Sequence, residues 1–128
     1  MTDTLAAEPQ VAVVVAAHGS RAPAANEAHE ALVEALAGSV DVRVSPGFLE
    51  LAAPSIPDAI DAAVAAGART VLVLPYFLHP GRHLTEDLPQ IVDDATARHP
   101  DREIRLLGSF GADPSLTEVL ARQVRQAL

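Results

Sequence analysis

The sequence predicts a single α/β domain built on a four-stranded parallel sheet, in the order 2-1-3-4, with helices on both faces. Three observations predict it. Apolar runs of strand length alternate with amphipathic runs of helix length along the whole 128-residue chain, the pattern of a parallel sheet covered by helices. The run at 11–17 is continuously apolar, as a strand buried on both faces is, and the run at 70–77 is the most apolar strand and so a central one. The run at 40–49 instead alternates, with Val40, Val42 and Val44 on one side and Asp41, Arg43 and Ser45 on the other. It also holds Pro46, so it belongs at a sheet edge.

The elements follow in order. Residues 11–17 form the first strand, ending at His18-Gly19-Ser20-Arg21. A helix over 24–36 repeats Ala28, Ala31, Leu32, Ala35 and Leu36 at helical spacing, and Gly38 ends it. After the edge strand, a helix over 55–66 buries Ile56, Ile60, Ala63 and Val64, with Gly67 as its terminator. Residues 70–77 are the third and most apolar strand, and therefore a central one. Pro80-Gly81 breaks the chain. A helix over 85–98 then begins with Thr85, Glu86 and Asp87, a capping hydroxyl and negative charge where the helix dipole favours them. A short fourth strand spans 103–107. Asp113-Pro114 starts a last helix over Ser115–Ala127, expected to turn Leu116, Val119, Leu120 and Val124 inward. Residues 1–9 are expected to form a disordered or loosely ordered tail, and 10–128 the single domain.

Composition narrows the chemistry. The absence of cysteine excludes disulfides, thiolate metal sites and a cysteine nucleophile. All nine basic residues are arginine, which excludes a Schiff-base or P-loop lysine. A net charge of -8 argues against nucleic-acid binding. The acidic N-terminus lacks a signal-peptide n-region, and no apolar run reaches the ~20 residues that span a bilayer. The expectation is a cytoplasmic protein with neither a nucleic-acid nor a membrane partner.

In the order 2-1-3-4 the chain reverses direction between strands 1 and 3, and open α/β sheets bind ligands at that switch point. His18 follows strand 1; His79 and His83 follow strand 3. Converging imidazoles bind a borderline first-row metal or move protons near neutral pH. Glu50 and Glu86 are candidate oxygen ligands or proton acceptors. Arg21 and Arg82, at the mouth of an acidic protein, suit an anionic ligand such as a carboxylate. His29, on a helix, and His99, before a helix-breaking proline, read as structural, and Asp93 and Asp94 as a solvated helix face. His79 and His83 have the spacing of a zinc-protease pair, but Pro80-Gly81 between them prevents a regular helix. No dinucleotide fingerprint, Walker A loop or nucleophile elbow is present.

Three stretches in this order, Ala17-His18-Gly19-Ser20-Arg21, Gly47-Phe48-Leu49-Glu50 through Ser55, and Leu74-Pro75-Tyr76-Phe77-Leu78-His79-Pro80-Gly81-Arg82-His83-Leu84-Thr85-Glu86-Asp87-Leu88-Pro89, resemble the sirohydrochlorin chelatases of cobalamin and sirohaem biosynthesis. The resemblance covers most of the chain. It implies a chelatase-like three-layer sandwich and ATP-independent insertion of a divalent metal (Co2+ or Fe2+, with Ni2+ also suited) into a carboxylate-rich tetrapyrrole. No permanent cofactor is implied; the metal is a substrate. His18 and His83 match the family's working histidines, as metal ligands and proton acceptors, with Glu50 and Glu86 in support. Ser20, Arg21, Arg82, Phe77 and Leu78 are the substrate-binding candidates. His79 is an extra donor. Larger chelatases carry two such domains, so this chain resembles the half-size form that pairs as a homodimer around the macrocycle. A non-catalytic metal or tetrapyrrole carrier of the same fold is the alternative.

Overall fold

The computed structural model describes residues 10–128; the tail expected over 1–9 lies outside the described residues. Four strands, β1 (Val11–Ala17), β2 (Arg43–Phe48), β3 (Thr70–Pro75) and β4 (Glu103–Leu106), form one parallel sheet in the order β2-β1-β3-β4. The helices are α1 (Pro23–Ala37), α2 (Ile56–Ala65), α3 (Leu88–Arg98) and α4 (Ser115–Ala127). The sheet is the one its apolar runs predict, with the alternating strand at an edge.

The two faces of the sheet are covered unequally. On one face α2 and α3 bury Ile56, Ile60, Leu88 and Ala95 against Val14, Val71 and Val73, all essentially free of solvent. Burying an aliphatic side chain of this size contributes about 1.5–3 kcal/mol. Among the described residues the other face carries only α1, whose Val33 packs on Val13 and Val15 with Leu36, Leu72 and Leu74 half-buried around them. Central β3 is therefore buried only at alternate residues, although it is the most apolar strand in sequence.

Several expected boundaries shift. Val40 lies ahead of β2 and is exposed, because pairing with β1 begins only at Arg43. The strand expected over 70–77 ends at Pro75, so Tyr76 and Phe77 belong to the following loop. The helix expected from residue 85 begins instead as a π turn, His83–Asp87, with the Leu88 amide bonded to the His83 carbonyl. Pro89 explains it: proline has no N–H, and its ring clashes with the carbonyl four residues back, so the preceding turn widens. Thr85 accordingly does not cap a helix; its hydroxyl donates to the Gly81 carbonyl at 3.0 Å.

The largest departure is α4. None of its residues is buried; Leu116 and Val119 are half-buried, and Leu120 and Val124 are 61% and 59% exposed. Its apolar stripe is present, but the described residues of its own chain do not cover it.

Candidate metal centre

The site lies beyond the carboxyl ends of β1, β2 and β3. The β1–β2 ladder continues past both strands, through Leu49 N–H to Ala17 O at 2.9 Å and Glu50 N–H to His18 O at 3.0 Å. That continuation sets Glu50 beside His18. It also makes Gly19 obligatory: its φ is +94°, and a Cβ there would run into the Glu50 carbonyl. Asn26, on the first turn of α1, holds the loop from the other side. It accepts from Ser20 N–H at 2.9 Å and donates to Ser20 O at 2.8 Å. Nothing in the sequence pattern marked Asn26, since a polar residue on an exposed helical turn is commonplace.

His83 comes from the π turn, whose geometry brings His83 and Asp87 together. His83 Nδ1 is 2.7 Å from Asp87 Oδ2, so Nδ1–H donates to the carboxylate. His18 Nδ1 is 3.1 Å from the Gly19 carbonyl, which can only accept. In the neutral tautomer with the proton on Nδ1, each ring presents an Nε2 lone pair. The two Nε2 atoms face each other at 3.2 Å, with the rings tilted by 57°. Glu50 Oε2 lies 3.1 Å from the same His18 nitrogen. Two lone pairs and a carboxylate aimed at one point repel unless a cation or a proton lies between them. The spacing suits a metal: two nitrogens each about 2.1 Å from one cation, and about 100° apart around it, are about 3.2 Å from each other.

One ligand atom from each of His18, Glu50 and His83 falls within 4.8 Å of the other two. The donor set, two imidazoles and one carboxylate, suits first-row divalent ions rather than thiophilic ones. The side chains of His18, Glu50 and His83 are 43%, 51% and 45% exposed, so the centre opens to solvent.

The other candidates scatter around this centre. Glu86 is exposed in the π turn and is not one of the three converging donors. Arg21 and Arg82 are exposed at the flanking loops, and Leu78 is 61% exposed. Ser20 Oγ accepts from Ala22 N–H, a loop-shaping bond. Phe77 packs against the α2–α3 core. His79 is exposed and stands away from the three donors, beside α4. His29 is buried and donates to Val15 O at 3.0 Å, and His99 bonds Asp61 at 2.7 Å, both structural as expected.

The CbiX family model matches residues 12–127. The chain belongs to that family. It is 30% identical, over 94% of its length and 95% of the relative's, to the sirohydrochlorin cobaltochelatase of Methanothermobacter thermautotrophicus. Among solved structures it resembles the sirohydrochlorin chelatase SirB of Bacillus subtilis subspecies spizizenii in complex with cobalt. That match has a TM-score of 0.81 at 27% identity, covering 91% of this chain and 50% of SirB. SirB from Bacillus subtilis with Fe3+ matches with a TM-score of 0.83 at 26% identity, over 91% and 47%. The CbiX chain is thus one unit of a fold for which SirB has about twice the length.

Proposed function

We propose that this CbiX protein inserts a divalent metal, Co2+ or Fe2+ and chemically also Ni2+, into sirohydrochlorin, with the metal as substrate and no permanent cofactor. One observation carries the reading: two imidazole Nε2 atoms 3.2 Å apart, with a carboxylate beside them, at an open sheet edge. His18, His83 and Glu50 hold the incoming ion through exchangeable bonds. As the ion passes to the macrocycle, two pyrrole N–H protons must leave. The freed Nε2 atoms and the Glu50 carboxylate stand where those protons arrive. Asp87 keeps Nε2 of His83 in the accepting form and stabilises the imidazolium that results.

Glu86 is proposed as a supporting proton acceptor at the mouth. Arg21 and Arg82, with Ser20, would engage the macrocycle's carboxylates, and Leu78 with Phe77 its apolar ring edge. Two copies would pair to enclose the substrate, which a half-exposed centre needs if water is to be excluded.

The test is anaerobic metal insertion into sirohydrochlorin, followed by absorbance. Wild type should turn over with Co2+ or Fe2+, and His18→Ala and His83→Ala should each lose about 10²-fold or more. Full activity in both variants would overturn the assignment. Stoichiometric binding without product release would instead make the protein a carrier.

A further inference from the structure

The loop after β2 carries two costs at one residue. Leu51 has φ +66°, in the left-handed region, where a Cβ crowds the backbone and glycine is the usual occupant. Among the described residues no other non-glycine residue has a positive φ. Leu51 is also 51% exposed and belongs to neither core cluster, whereas Phe48 before it is buried and Leu49 packs on the core. An exposed leucine is ordinary on its own, and a strained one in a core would be held by its packing. Leu51 combines exposure with strain, and the packing of the described residues gains little from either.

Both sides of the residue are pinned. Glu50 N–H bonds His18 O at 3.0 Å, and the Glu50 carbonyl lies where a Cβ on Gly19 would stand. Phe48 N–H bonds Pro54 O at 2.9 Å, Ser55 pairs with Phe48, and the Ser55 hydroxyl accepts from Asp58 N–H at 3.1 Å as the cap of α2. The chain must therefore turn back between Glu50 and Pro54, and Leu51 takes the left-handed step of that turn. Glycine would make the same turn without strain. What leucine adds there is an apolar side chain next to Glu50, whose carboxylate stands 3.1 Å from His18 Nε2.

We propose that Leu51 is an apolar substrate contact, its strained turn holding the side chain out next to Glu50 as a rest for the tetrapyrrole ring. This rests on the metal-insertion reading put forward above and adds a residue to it. The sheet order supports the placement. His18 follows β1, with Leu51 after β2 on one side and Leu78 after β3 on the other, 51% and 61% exposed. β2 and β3 lie two strand spacings apart, about 10 Å, comparable to the width of a tetrapyrrole ring. A ring lying across the three strand ends meets an exposed leucine on each flank of His18, while Arg21 and Arg82 take its carboxylates. A side chain on a pinned turn is also ordered before the substrate arrives, so little entropy is lost on contact.

Leu51→Gly and Leu51→Asn remove the apolar side chain and accept a positive φ, and Asn does so without loosening the unfolded chain as Gly does. Leu51→Met keeps an apolar side chain of similar size. In anaerobic Co2+ insertion into sirohydrochlorin, the Gly and Asn variants should each raise KM for sirohydrochlorin about tenfold with kcat little changed. Their thermal midpoints should hold or rise as the strain is relieved. Their Co2+ affinity by calorimetry should equal that of wild type, since Leu51 is not one of the three converging donors. Leu51→Met should recover most of the lost KM. Wild-type KM in both the Gly and Asn variants overturns the contact while leaving metal insertion standing. A fall in thermal midpoint that tracks the loss of activity makes Leu51 a packing residue and also overturns it. A wild type that neither binds nor metallates sirohydrochlorin overturns both.

Discussion

The two histidine turns of the CbiX chain do the same job by different means. His18 is held by backbone: a strand ladder that runs on to Glu50, a glycine at φ +94° and the carbonyl that receives its Nδ1–H. His83 is held by side chains: a carboxylate four residues on, in a π turn set up by Pro89. A backbone-built position is nearly all-or-none, because the main chain has few alternative paths. A position built by side chains can be adjusted in steps. Substitutions in the two turns should therefore fail differently.

The largest effect is expected at Gly19. Gly19→Ala meets both a positive φ and the Glu50 carbonyl, and should cost about 3 kcal/mol or more of stability. Chemical denaturation would measure that loss, with metal insertion falling alongside. At the second turn, Asp87→Ala should leave the fold intact and weaken Co2+ binding about 10–100-fold, read by titration calorimetry. Asp87→Asn should lie between the two, since an amide oxygen can still accept from Nδ1. Equal losses of stability at Gly19 and Asp87 would erase the contrast between the turns.

A smaller effect follows at Pro89. Pro89→Ala restores an N–H and lets the π turn tighten toward an α-helix, swinging His83 away from His18. Metal affinity should drop about tenfold without a fall in the thermal midpoint, separating turn geometry from stability.

The smallest effect lies far from both turns. Burial pushes the Asp61 carboxyl up, but hydrogen bonds from His99 and Arg98 and attraction to both outweigh it and hold it below its ordinary value of 3.8. A carboxyl depressed on folding stabilises above its unfolded pKa, and that contribution is lost as pH falls through the folded one. The lead of wild type over Asp61→Asn should thus be present at pH 7, at under about 1 kcal/mol for so exposed a pair. It should shrink below about pH 4 in denaturant titrations.

Much of this was legible in the sequence. A continuous apolar run at β1 and the most apolar run at β3 mark the two as neighbours in the middle of the sheet, and the switch point between them brings His18 and His83 together. Glu50 follows the edge strand that pairs with β1, so it arrives with them. Asp87 was visible only as charge at a helix start, because the effect of Pro89 on the turn before it does not appear in apolar periodicity. The α4 stripe has the same pattern whether or not its own sheet covers it. Periodicity records that a face is apolar and not what covers it.

The central claim is that His18, His83 and Glu50 hold a divalent ion at one point. Calorimetric titration of Co2+ into metal-free wild type and into the His18→Ala/His83→Ala pair tests it most directly. The account predicts one ion per chain in wild type and no binding over the same concentrations in the double variant. Equal affinity and stoichiometry in both would contradict it.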